Sequence, residues 1–223
     1  KLAISDTNLY HICQLNPQSK VIRYDLTTGI KQNERDLAIP AAHGGLFFNG
    51  YLYVTTSQND GTGFMLYKLH PTTLRIQWCK RITTCAVATH EMAGMFNPYT
   101  GVPYLFIGYE GQDQDPTTIA NEVRVNANKP NEWIEYSTNT VVQGGIWGVK
   151  AKEGMIWVSR GSTPGSIEML DPWNATSTFF EITAGLGGVN GTPDVHGNTI
   201  YLKTFPRLVL GSGTSSLLQI TIN

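Results

Sequence analysis

The stretch Gly44-Gly45-Leu46-Phe47-Phe48-Asn49-Gly50-Tyr51-Leu52-Tyr53-Val54-Thr55-Thr56 decides the fold. Two short runs rich in aromatic and β-branched residues flank an Asn-Gly dipeptide, whose residues both tolerate positive φ. That is the strongest short-range signal for a tight β-hairpin. Downstream, Phe64-Met65-Leu66-Tyr67-Lys68-Leu69, a turn at His70-Pro71-Thr72-Thr73 and Leu74-Arg75-Ile76-Gln77-Trp78 add two more strands. The segment therefore reads as a four-stranded antiparallel meander.

The same order recurs along the chain. A first unit comprises Leu2-Ala3-Ile4, Leu9-Tyr10-His11-Ile12 and the run from Val21 through Tyr24-Asp25-Leu26-Thr27-Thr28-Gly29 to Ile30. A third contains Gly94-Met95-Phe96, Tyr104-Leu105-Phe106-Ile107-Gly108, Glu122-Val123-Arg124-Val125 and Trp133-Ile134-Glu135-Tyr136. A fourth runs from Gly144-Gly145-Ile146-Trp147 through Met155-Ile156-Trp157-Val158 and Ser166–Pro172 to Phe179-Phe180-Glu181-Ile182. The fifth, from Pro193-Asp194-Val195 through Ile200-Tyr201-Leu202 to Leu217–Ile222, lacks a fourth strand. Turn markers at Thr7, Gly50, Gly101, Gly154 and Gly197 lie 43, 51, 53 and 43 residues apart, the spacing of four-stranded propeller blades.

With its Asn-Gly-Tyr-Leu-Tyr-Val second strand and Tyr-Asp-Leu-Thr-Thr-Gly third-strand exit, the chain resembles the β-propeller superfamily, with PQQ-like and kelch-like blades. The resemblance implies an all-β, five-bladed β-propeller of four-stranded antiparallel blades, the last with four strands or three. A β-sandwich or barrel of similar strands is the alternative. One domain spans 1–223, with approximate blades at 1–38, 39–88, 89–140, 141–184 and 185–223.

Blades of this kind gather their first strands around a central channel, so one repeat position forms a ring. Aligned on the first turn, His43 falls on Glu91, Trp147 and Asn190; aligned on the Gly-Gly pair, Gln143 replaces Trp147. The expected ligand-binding set is His43, Glu91, Gln143, Trp147, Asn190 and Asp194, with Trp147 an apolar platform. Polar residues there can equally serve only to satisfy strand-entry backbone groups and channel water. His43, His90 and Glu91 offer nitrogen and carboxylate groups for a metal, and Glu110, Asp113 and Asp115 form an oxygen-rich cluster for calcium in the polar insertion 109–118. Neither follows an established ligand spacing, so no metal and no cofactor is expected.

Net charge is −1, with 16 Lys+Arg against 17 Asp+Glu, which leaves no electrostatic footprint for nucleic acid. No apolar run approaches the length of a membrane-spanning helix, so no membrane insertion is expected. The nucleophile elbow, phosphate loop, dinucleotide fingerprint and zinc-protease motif are all absent. Asp25 and Asp171 read as turn-formers at third-strand exits.

The functional expectation is a non-enzymatic recognition module for a glycan or protein receptor, lectin-like or virion receptor-binding. The alternative is a carbohydrate-active hydrolase or lyase using Glu91, Asp194 and His43. Charged residues are only 15% of the chain, and Asn174-Ala175-Thr176 and Asn190-Gly191-Thr192 fit the glycosylation sequon. These features point to an extracellular or virion-surface setting. The start at Lys1 reads as a processed mature form or a piece of a longer protein. Cys13, Cys79 and Cys85 read as free small core residues, with Cys79–Cys85 pairing as the alternative.

Overall fold

A computed structural model describes residues 1–15, 17–58, 60–84, 86, 88–110, 122–136, 145–160, 165–174, 176–181, 188–189, 191–205 and 216–221. Among them every regular element is a β-strand. The first sheet is β1 (Leu2–Ile4), β2 (Asn8–Cys13), β3 (Ser19–Asp25) and β4 (Lys31–Leu37), and the second is β5 (Ala42–Phe48), β6 (Tyr51–Ser57), β7 (Phe64–Leu69) and β8 (Ile76–Ile82). The third comprises β9 (Ala88–Phe96), β10 (Pro103–Glu110), β11 (Glu122–Asn126) and β12 (Trp133–Tyr136). The fourth comprises β13 (Ile146–Lys152), β14 (Met155–Arg160), β15 (Ser166–Asp171) and β16 (Thr176–Glu181). In each of these four, strands neighbour one another in chain order, the meander expected from the repeat.

The fifth sheet departs from that pattern. Strands β17 (Gly188–Val189) and β18 (Asp194–His196) both pair with β19 (Thr199–Phe205), while β20 (Ser216–Thr221) pairs with β19 along its length. A strand has two edges, so β17 and β18 share one of them and form a single first strand interrupted at 190–193. Among the described residues the sheet thus has three blade strands.

Turn chemistry sets the registers. Asn49 and Gly50 have φ of 46° and 76°, and Glu153 and Gly154 have 56° and 77°, the double left-handed geometry that matches strand twist in a two-residue hairpin. Phe48 consequently faces Tyr51, and Lys152 faces Met155. At the third-strand exits, Asp25 Oδ1 accepts from the Thr27 and Thr28 amides, and Asp171 Oδ1 from those of Trp173 and Asn174. Both aspartates form the expected turns, and these hydrogen bonds hold their carboxyls below the ordinary range: the Thr28 amide contributes most at Asp25, the Asn174 side chain at Asp171.

The chain packs as two compact units, Lys1–Thr89 and His90–Asn223. In the first, Tyr10, Ile12, Val21 and Leu37 of one sheet meet Ala42, Leu52, Val54 and Leu69 of the next. In the second, Phe106 of the third sheet joins Ile146, Val149, Ile156, Val158 and Leu170 of the fourth, and Trp157 and Ile167 join Val195, Ile200 and Leu202 of the fifth. Strands β6, β10 and β14 are buried almost continuously rather than alternately. β2 alternates, and Leu2 and Ile4 beside it are 56% and 58% exposed.

The cysteines differ from expectation. Cys13 is half-buried and Cys79 exposed, both free thiols on strands rather than core side chains, while Cys85 lies outside the described residues. A Cβ at Gly154 would meet no atom within 4 Å, so a substitution there tests backbone conformation alone. Gly154→Ala is expected to lose about 1 kcal/mol in chemical denaturation. A neutral result would contradict the left-handed turn.

Candidate functional site

Two of the first strands, β5 and β13, are deformed at one repeat position. In β5, Ala42 faces Thr56 and Gly44 faces Thr55, so His43 is an extra residue. In β13, Ile146 faces Arg160 and Gly148 faces Ser159, so Trp147 is the extra residue. Both lie five residues before the end of their strand, and both precede a glycine. Counting the same distance back from the end of β18 reaches Gly191, within the interruption and at φ +97°. Bulges re-aim side chains and cluster at working ends of sheets. Equivalence of His43 and Trp147 follows from backbone pairing, which selects the alignment on the first turn over that on the Gly-Gly pair.

Within the second unit, Trp147 is half-buried and stacks on His90, with ring centroids 4.3 Å apart and planes inclined by 21°. His90 Nε2 lies 3.0 Å from Glu110 Oε2, at side-chain exposures of 17% and 20%. These residues come from the beginning of β9, the end of β10 and the beginning of β13, so one end of the third and fourth sheets carries all three. Gly145 makes room for the carboxylate: a Cβ there would meet Glu110 Cγ, Cβ and Cδ at 3.0, 3.2 and 3.4 Å. The spacing of the sheets is set beside them, where Ile146 packs directly onto Gly108.

The remaining expected residues are distributed as follows. Glu91 is half-buried in β9, next to His90, and His43 is half-buried in the first unit. Asp194 is exposed in β18, bonded to His196 at 3.0 Å with Lys150 at 4.0 Å, and the bond from His196 is the main reason its carboxyl is held below the ordinary range. It lies two residues before the end of its strand, whereas Glu91 lies five before the end of β9. Gln143 and Asn190 lie outside the described residues, as do Asp113 and Asp115.

Sequence reasoning considered His90 and Glu110 for separate metal sites; the structure instead joins them to each other. Among the described residues no three His, Cys, Asp or Glu side chains form a group able to hold a metal ion. The signal that could have paired them is the hairpin itself, since β9 and β10 are neighbours and place the start of one beside the end of the other. The stacking of Trp147 on His90 has no local sequence signature.

No family model and no curated protein matches the chain. Solved structures do. The structure of the Dos1 propeller superposes with a TM-score of 0.67 at 13% identity over 90% of this chain and 52% of that one. Hydrazine synthase from Kuenenia stuttgartiensis gives 0.67 at 13% identity over 100% of this chain and 62% of the other. The fold is a β-propeller. The five sheets are its blades, and a third neighbour, the quinohemoprotein alcohol dehydrogenase ADHIIG of Pseudomonas putida HK5, fits at 0.62 with 12% identity over 92% of this chain and 43% of its own. This chain spans between half and two thirds of the length of the first two propellers it matches. Identities this low establish architecture alone.

The stacked geometry has a direct spectroscopic consequence. In the native protein, the His90 ring protons lie in the shielding region of the indole. In Trp147→Ala those resonances are expected to move downfield, with the other imidazoles unchanged. Identical His90 shifts in both proteins would contradict the stack.

Proposed function

We propose that this propeller is a non-enzymatic recognition module whose ligand face is the end of the third and fourth blades carrying His90, Glu110 and Trp147. The observation that carries the reading is the half-buried indole of Trp147, projected by a bulge and braced by an imidazole that is itself fixed by a carboxylate. A rigid aromatic face beside polar groups suits the apolar side of a sugar ring and its flanking hydroxyls. The ligand is a glycan. An extracellular or virion-surface setting accompanies this reading, supported by the low share of charged residues.

The hydrolase or lyase alternative is less favoured by the placement of its carboxylates. Asp194 stands three residues nearer its turn than Glu91 does, an offset of roughly 10 Å along the strand direction. It is also occupied by His196, which leaves it a poor partner for a concerted pair.

A glycan-array screen of the intact protein, followed by a product-release assay on each hit, tests the reading. Binding without release is expected. Trp147→Ala should weaken the hit at least tenfold, about 1.4 kcal/mol or more. Trp78→Ala, on the outer strand β8, should leave affinity unchanged. Product release, or equal losses in the two variants, would overturn the proposal.

A further inference from the structure

The same end of the third and fourth blades contains a buried ionic group that ligand recognition does not use. Arg160, the last residue of β14, lies 3.0 Å from Glu168 Oε2 of β15, and both side chains are fully buried. Glu122, the first residue of β11, is fully buried as well, and among the described residues neither of its carboxyl oxygens has a hydrogen-bond partner. Glu168 Oε1 and Ser166 Oγ are likewise without partners. Elsewhere in its own sheet Glu122 faces Gly108 of β10 and Tyr136 of β12 in register, while Glu110 two residues beyond Gly108 is engaged by His90.

One guanidinium cannot neutralise two carboxylates. If Glu122 were ionised, the described residues of the group would carry a net negative charge, with no hydrogen bond among them to the Glu122 oxygens to offset its desolvation. A proton removes that cost. We propose that Glu122 is a buried proton-binding site that locks the joint between β11 and the β14–β15 hairpin, so that local opening of this joint releases one proton to water. Desolvation is the main cause that pushes the carboxyl up to about 8; Glu168 adds to the rise and Arg160 opposes it.

The sign of the linkage is fixed by these values. In the opened joint, Glu122 is hydrated and ionises near 4.5, its ordinary value; in the closed joint it does so near 8. Below the first value both states are protonated, and above the second both are ionised. Between them only the closed state holds the proton, so closure is strongest in acid and is progressively lost as pH rises to about 8.

Hydrogen exchange resolved by peptide, normalised to intrinsic amide rates, tests this on the intact chain. In the native protein, protection of the β11, β14 and β15 amides should fall about tenfold per pH unit from pH 5 to 7.5 and level off above about 8. Isosteric Glu122→Gln should abolish that slope. Glu168→Gln leaves Arg160 to pair with Glu122, and the levelling should move to lower pH. A pH-independent native protein, a slope retained in Glu122→Gln, or an unmoved plateau in Glu168→Gln would each overturn the proposal.

Discussion

Isoleucine seated on bare backbone is the constraint from which the geometry of the candidate site follows. At the joint of the third and fourth blades, Ile146 occupies the space that any side chain at position 108 would need, and Val149 closes the same gap. The first unit repeats the device, with Ile12 packed against Gly45. At Gly108 an added Cβ would collide with the branched carbons of Ile146 and Val149, which close-packed interiors have little slack to absorb, whereas at Gly45 the Ile12 terminal methyl could turn aside. Ile146 directly precedes Trp147, and Gly108 stands two residues before Glu110. The contact that sets blade spacing therefore also sets the distance between the indole and the carboxylate that holds His90.

The bulge at Trp147 turns that spacing into a presented surface. Without the extra residue, the strand would continue its two-residue alternation and the ring would be delivered on a different face. With it, Trp147 stacks on His90, and the buried Arg160–Glu168 pair and the buried Glu122 lie at the same end of the two sheets. The proposed recognition surface and the proposed proton-dependent seam thus share one end of the same two blades. The seam is expensive to bury in charged form and inexpensive as a neutral acid beside an ion pair.

Much of the fold was legible in the chain because it is written in local chemistry. Asn49-Gly50, Glu153-Gly154, Asp25 and Asp171 act within a few residues of themselves, and each turn behaves as its sequence implies. The three-strand fifth blade was legible for the same reason, although the break between β17 and β18 was not. The site was harder to read. Repeat register placed Trp147 at the position of His43, which the two bulges support, but which side chains touch it depends on packing between blades. His90 and Glu110 are twenty residues apart and carry no joint motif. Glu122 looks like an ordinary strand-entry residue, and only the neighbouring blade makes it a buried acid.

The dependence of the site on blade spacing is tested most directly by a double-mutant cycle at Gly108 and Ile146, read by equilibrium unfolding. Gly108→Ala alone should cost about 1–3 kcal/mol through overpacking, and Ile146→Ala about 2–5 kcal/mol through lost burial. Because the second change removes the side chain that the first collides with, the double variant should be more stable than the sum by about 1 kcal/mol or more. Strict additivity would show that the two residues do not share the contact, and would contradict the packing on which the placement of Trp147, His90 and Glu110 rests.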